Sequence, residues 1–289
     1  MKPRVESFYD QATSTFSHVV YDRDGGHAAI VDPVMDYDAA SARTSFGSAQ
    51  RLLDFVREHG LIVDWILETH AHADHLSAAA WLRGQTGARV AIGRGITAVQ
   101  ARFRDVFNLG EGFAVDGSQF DHLFADGDSF AIGALSGRVI ATPGHTDDSL
   151  TYVVGDAAFV GDTVFAPDTG TARADFPGGD AARLYRSIRH LFELPGDTRV
   201  FLCHDYAPDG REPCAETSIA AQRERNVHLA GDVGEAAFVR LRNERDAGLA
   251  APRLILPSLQ VNIRAGELPP TDPNGVRYLR LPLNQFGGG

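Results

Sequence analysis

Short apolar runs that end in a polar residue recur along the first two thirds of the chain, and amphipathic stretches of helical period lie between them. FSHVVYDRDGGHAAIVDP reads as two strands around a Gly25-Gly26 turn, closed by Pro33. In AQRLLDFVREHG, Leu52, Leu53 and Val56 fall on one helical face and Gly60 is a stop. IVDWILET predicts a strand, LSAAAWLRGQTG a helix, RVAIG a strand and ITAVQARFRDVF a helix. The pieces SFAIG, GRVIATPG, SLTYVVGD and AAFVGDTVF predict strands. DAARLYRSIRHLFELPGD predicts a helix capped by Asp180 and ended by Pro195-Gly196, and RVFLCHDY one more strand.

Strand-rich block, helix, strand, helix, strand-rich block, helix, strand is the order of an α/β sandwich, with sheets between outer helices. The character changes after residue 214. AETSIAAQRERNVHL and GEAAFVRLRNERDA predict helices, and the Pro-rich remainder from Pro252 predicts an irregular wrap on the core. The expected division is a catalytic domain over 1–230 and an extension over 231–289 that packs on it. The final GGG, 287–289, reads as a frayed end.

Charge narrows the function classes. Lys and Arg number 27 and Asp and Glu 38, so the net charge is 27 − 38 = −11. That sign disfavours general binding to nucleic acid or to an anionic membrane. The N-terminus has no apolar signal core, and no apolar run reaches 18 residues. Cys203 and Cys214 do not make a disulfide framework. A cytoplasmic protein is the expectation.

The chemistry concentrates in ILETHAHADHL, residues 66–76. His70, His72, Asp74 and His75 give four candidate metal ligands within six residues, between a predicted strand and a predicted helix. Imidazoles and carboxylates gather this tightly to hold a metal ion. Further ligands are expected where other strands end: His145 in TPGHTDDS, Asp162 in FVGDTVF and His204 in FLCHDY. His18, His27, His59, His122, His190 and His228 lack that setting and are expected at the surface or in packing. Cys203 is expected to point into packing, because neighbours on a strand face opposite ways. GRG at 93–95 lacks any phosphate-loop pattern, so no nucleotide site is assigned.

THAHADH, PGHT, GDT and a late HD, in this order, resemble the metallo-β-lactamase fold superfamily. The resemblance covers roughly residues 15–230 and implies an αββα sandwich. In the superfamily's two-metal hydrolases, His70, His72 and His145 would hold one ion, Asp74, His75 and His204 the other, and Asp162 would bridge them. A narrower resemblance rests on GTARADF, LYRSIRHLFELPGDTRVF and CHDY, which are similar to the persulfide dioxygenase family within this fold. It implies one Fe(II) per chain on His70, His145 and Asp162, with His72, Asp74, His75 and His204 as outer groups that orient the ligands. The implied reaction takes glutathione persulfide, O2 and water to sulfite and glutathione. Spacing alone favours two zinc ions.

The same resemblance places Arg173, Tyr206 and Arg223 at the substrate, the arginines as forks for glutathione carboxylates. Thr171 stands where the family often carries Cys. A salt bridge with Asp175 is the competing role for Arg173. Two other readings stay open: a two-zinc hydrolase such as a glyoxalase II-like thioesterase or lactonase, and a metal or persulfide module without catalysis. No fused sulfurtransferase is expected in the chain, and Pro252–Gly289 is a candidate surface for a homodimer.

Overall fold

The computed structural model describes residues 2–285; the Gly287–Gly289 end lies outside the described residues. One six-stranded sheet runs in the order Arg4–Asp10, Thr15–Tyr21, His27–Val31, Ile62–Leu67, Arg89–Gly93, His122–Phe124. The other runs Ser129–Ile132, Leu135–Ala141, Leu150–Val154, Ala157–Phe159, Arg199–Phe201, Glu216–Ser218. A small sheet of Arg43–Ser45, Val34–Asp38 and Leu76–Ser77 lies beside them.

The apolar runs are continuous because their strands are buried on both faces. Side-chain alternation sorts each strand between two cores. Val20, Ala29, Val31, Trp65, Leu67 and Ala91 meet Val139, Tyr152, Val154, Phe159 and Phe201 between the sheets. The alternate residues Val19, Ile30, Ile66, Val90 and Ile92 face the helices Gly47–Glu58, Ala79–Thr86 and Ile96–Val106 through Leu52, Leu53, Leu82 and Phe103. On the far side Val153, Ala158 and Val200 pack on Leu184, Ile188 and Leu191 of the helix Ala181–Leu191. Asp180 caps that helix by accepting from the Arg183 N–H at 2.8 Å. The layers are the expected αββα sandwich.

Three local differences from the sequence expectation bear on the site. The Arg199–Phe201 strand stops before Cys203 and His204. The Arg4–Asp10 strand, partly exposed at the sheet edge, carries no clean apolar signal but pairs along its whole length with Thr15–Tyr21. The segment after Pro252 is not irregular throughout: Ile255–Asn262 is a helix. Pro257 sits in its first turn, where the missing N–H is no loss. Leu254, Ile255, Leu259 and Val261 join the core of the first sheet.

His18, at 1% exposure, accepts from the Ser7 hydroxyl at Nδ1 (2.8 Å) and donates from Nε2 to the Leu202 carbonyl (3.0 Å). Burial pushes its pKa down to about 4. An unfolded histidine protonates near pH 6.5, so the unfolded chain takes up the extra proton first. The stability from neutral His18 is therefore present above pH 6.5 and lost as pH falls toward 4, by roughly 3 kcal/mol at 1.4 kcal/mol per unit. Urea unfolding of His18→Gln against wild type at pH 7 and pH 4.5 should show the wild-type advantage shrink at the lower pH. An advantage that stays constant with pH would contradict a neutral buried ring.

Candidate metal centre and its cavity

The loop after the strand Ile62–Leu67 carries His70, His72, Asp74 and His75, and buried groups hold it in shape. Asp32, in left-handed backbone conformation at φ 48°, ends the neighbouring strand His27–Val31. Its Oδ1 accepts from the Thr69 N–H (2.7 Å) and from His72 Nε2 (3.0 Å), and its Oδ2 from the Thr69 hydroxyl (2.9 Å). Asp148 Oδ2 accepts from the Ala71 N–H at 2.8 Å. Asn262 donates to the carbonyls of His72 and His75, both at 2.8 Å, and accepts from the Ser77 N–H at 2.8 Å. Glu68 accepts from the Ser77 hydroxyl.

His70, His145 and Asp162 converge from three strand ends, their nearest ligating atoms all within 4.8 Å of one another. Asp162 Oδ2 lies 3.5 Å from His145 Nε2 and 4.0 Å from His70 Nε2. The neighbours of both rings dictate their tautomers. The Thr69 hydroxyl already donates to Asp32, so its oxygen accepts from His70 Nδ1 at 3.1 Å. His145 Nδ1 donates to the Arg173 carbonyl at 2.7 Å. Each Nε2 is thereby left as a lone pair aimed at the Asp162 carboxylate. Burial, then His72 and His145, hold the His70 pKa well below the ordinary histidine range, so that ring stays neutral. Gly161 makes the approach possible: its φ is +51°, and a Cβ there would meet Thr69 Oγ1 at 2.5 Å.

A second group joins His72, Asp74, His75 and His204. Asp74 Oδ2 is 3.1 Å from His204 Nε2 and 3.6 Å from His75 Nδ1, and Asp162 Oδ1 is 3.4 Å from His204 Nε2. His204 Nδ1 donates to the Ser14 carbonyl at 3.2 Å. Burial opposes charge on His204, yet Asp74, Cys203 and Asp162 hold it well above the usual range. Among the described residues His70 Nε2, His72 Nδ1, Asp74 Oδ2, both nitrogens of His75, Asp162 Oδ1 and His204 Nε2 are buried without a hydrogen-bond partner. Orphaned polar atoms this close together are costly in a dry interior, and a metal cation satisfies those that offer a lone pair. The donor set therefore fits a metal ion.

Cys203 corrects an expectation. It is buried, at 1% exposure, but it does not turn away from the site. Its sulfur groups with Asp162 and His204, and also with Asp32 and His72. Strand alternation cannot orient it, because the strand has already ended at Phe201.

A cavity of about 500 Å³ opens above His145, Asp162 and Asp74. Tyr206 lines it, its exposed ring stacked over His204 at 5.9 Å. Arg173 lines it too, but its guanidinium is bound bidentately to Asp175 at 2.6 and 2.7 Å and to the Ala250 carbonyl at 2.7 Å. Arg223 is not brought to the cavity: it donates to the carbonyls of Phe192 and Leu194 at the end of the preceding helix. Arg242, Arg245, Arg253 and His228 line the cavity instead. His228, expected at the surface or in packing, is buried and also lines the cavity. Asp32 did offer a signal, since it is a polar residue closing the apolar run AAIV, like Asp162 after AAFV.

Residues 12–204 match the metallo-β-lactamase superfamily. A probable metallo-hydrolase of Burkholderia pseudomallei is 52% identical over 97% of this chain and 99% of its own length. A beta-lactamase hydrolase-like protein of Xylella fastidiosa is 51% identical over 99% of this chain but 66% of its own, so the chain spans about two thirds of that relative. Glyoxylase B2 of Dictyostelium discoideum is 47% identical over 98% of both chains. More distantly, the human mitochondrial persulfide dioxygenase ETHE1 is 28% identical over 92% of this chain and 90% of its own. The crystal structure of ETHE1 from Myxococcus xanthus covers 92% of this chain and all of its own, with a TM-score of 0.73 and 32% identity.

Proposed function

The chain belongs to the metallo-β-lactamase superfamily, and from that premise we propose that it is a persulfide dioxygenase with one Fe(II) held by His70, His145 and Asp162. The observation that carries this reading is the composition of the trio, two of whose members, His145 and Asp162, line the cavity: two imidazoles with free Nε2 lone pairs and one carboxylate. Such a set leaves coordination positions open, the arrangement used by non-haem Fe(II) oxygenases. His72 supports it. Its donor atoms group with Asp74, His75 and His204 rather than with His70 and His145, and its Nε2 is given to Asp32. Fe(II) held there supplies the one-electron chemistry that O2 requires. The residues of this chain bind, orient and exclude water: Asp32 and Thr69 set the His70 ring, the Arg173 carbonyl sets His145, and Phe165 and Phe176 wall the cavity. The proposed substrate is glutathione persulfide.

A two-zinc hydrolase is the second reading. Asp74, His75 and His204 form an intact cluster with unsatisfied donor atoms, and the relatives above 45% identity carry hydrolase or glyoxylase names. Protein purified anaerobically should carry about one iron per chain by elemental analysis and consume O2 when glutathione persulfide is added. Two zinc ions per chain, no O2 uptake and hydrolysis of a glutathione thioester would replace the dioxygenase with the hydrolase.

A further inference from the structure

We propose that Arg245, Arg253 and His228 form an oxyanion-binding rim on the cavity, which holds an anionic group of the substrate remote from its reacting end. All three line the cavity whose floor is His145 and Asp162. The other two arginines there are committed. Arg173 is held by Asp175, and Arg242 by Asp246 at 2.7 and 3.0 Å and by the Thr171 carbonyl at 3.1 Å. Arg245 and Arg253 are exposed and make no ion pair or side-chain hydrogen bond with any described residue. In a chain with 38 acidic and 27 basic residues, these two guanidiniums line the same cavity with no acidic partner among the described residues. Planar forks of this kind match carboxylate or phosphate oxygens.

His228 is built into the rim rather than resting on it. Its Nδ1 accepts from the Thr171 backbone N–H at 3.0 Å, with the Thr171 hydroxyl 3.1 Å away. The ring proton is therefore on Nε2, a neutral donor without a protein partner among the described residues. Burial, then Arg242 and Arg245, lower its pKa to about 4, so it stays neutral at working pH. Gly170 leaves room for the ring: its φ is +98°, and a Cβ there would lie 2.3 Å from Nδ1. Phe165, Phe176, Leu249 and Leu254 add apolar surface to the lining. The cavity thus joins the buried His145 and Asp162 to exposed arginines, which suits a sulfur compound that carries an oxyanion away from its sulfur. The sulfur end rests on the function proposed above; the rim does not.

The probes are S-methylglutathione, whose negative charges are carboxylates, and S-methyl-coenzyme A, whose negative charges are phosphates. Neither can be oxidised as a persulfide or hydrolysed as a thioester. Calorimetric titration of the metal-loaded protein should give a dissociation constant for at least one probe that rises roughly tenfold or more in Arg245→Ala/Arg253→Ala. His228→Gln should raise KM for the substrate while kcat changes little. Loss confined to the glutathione probe assigns a carboxylate, and loss confined to the coenzyme A probe assigns a phosphate. Unchanged binding of both probes in the double variant, or no binding of either to wild type, overturns the rim. Both arginines are exposed, so an unchanged melting temperature checks the fold. If O2 uptake fails while probe binding depends on Arg245 and Arg253, the dioxygenase falls and the rim stands.

Discussion

Asp162→Asn is expected to empty the metal centre while leaving the fold intact. Asp162 is the one carboxylate in the trio, and its Oδ1 also faces His204 Nε2 at 3.4 Å. Asparagine keeps the shape but replaces an anionic oxygen by a neutral amide, and two neutral imidazoles alone are a weak cage for a divalent cation. Metal content should fall to a small fraction of wild type. Activity should fall roughly 10³-fold or more, since a bound metal contributes several kcal/mol and each 1.4 kcal/mol is tenfold. The melting temperature of chelator-treated protein should hardly move. His204→Gln then separates the two functional readings. With one iron on the trio, metal content stays near one per chain and activity drops roughly 10- to 100-fold, as when a group that orients ligands is lost. With two zinc ions, content falls from two toward one. Retained metal and activity in Asp162→Asn would remove Asp162 from the ligand set altogether.

The candidate ligands were legible in the sequence because one physical rule finds most of them: a polar residue just past an apolar strand. The αββα layers put those strand ends on one edge, so His70, His145, Asp162 and His204 meet there. What the rule could not see depends on contacts between distant segments. Arg223 and Arg245 lie on helices of similar polarity, and only tertiary packing sends one to the Phe192 and Leu194 carbonyls and the other to the cavity. His228 has no local pattern; its role arises where it meets Gly170 and Thr171. Cys203 was misplaced by extending strand alternation two residues beyond the strand. In the sequence the Fe(II) reading came from family resemblance alone, because seven candidate ligands on their own favour two zinc ions.

Asn262 is the largest structural debt of the site to a segment with no chemical signature. Its amide closes three buried backbone groups at once: the carbonyls of His72 and His75 and the N–H of Ser77. Asn262→Leu keeps the bulk and leaves all three unpaired. Each orphaned group costs about 1–3 kcal/mol, so the loss should exceed roughly 3 kcal/mol and lower the melting temperature by roughly 5 °C or more. The damage should also reach the metal, because the released carbonyls belong to the loop that aims His70, Asp74 and His75. Metal affinity is expected to weaken roughly 10- to 100-fold, as for loss of other groups behind a ligand. Asn262→Asp should be no milder: it can still accept from Ser77, but it sets a carboxylate against two carbonyl oxygens. Urea unfolding with and without metal separates the two effects. A variant that loses stability but binds metal as wild type would make the helix Ile255–Asn262 a packing element only. Loss of both would make it part of the metal site's framework.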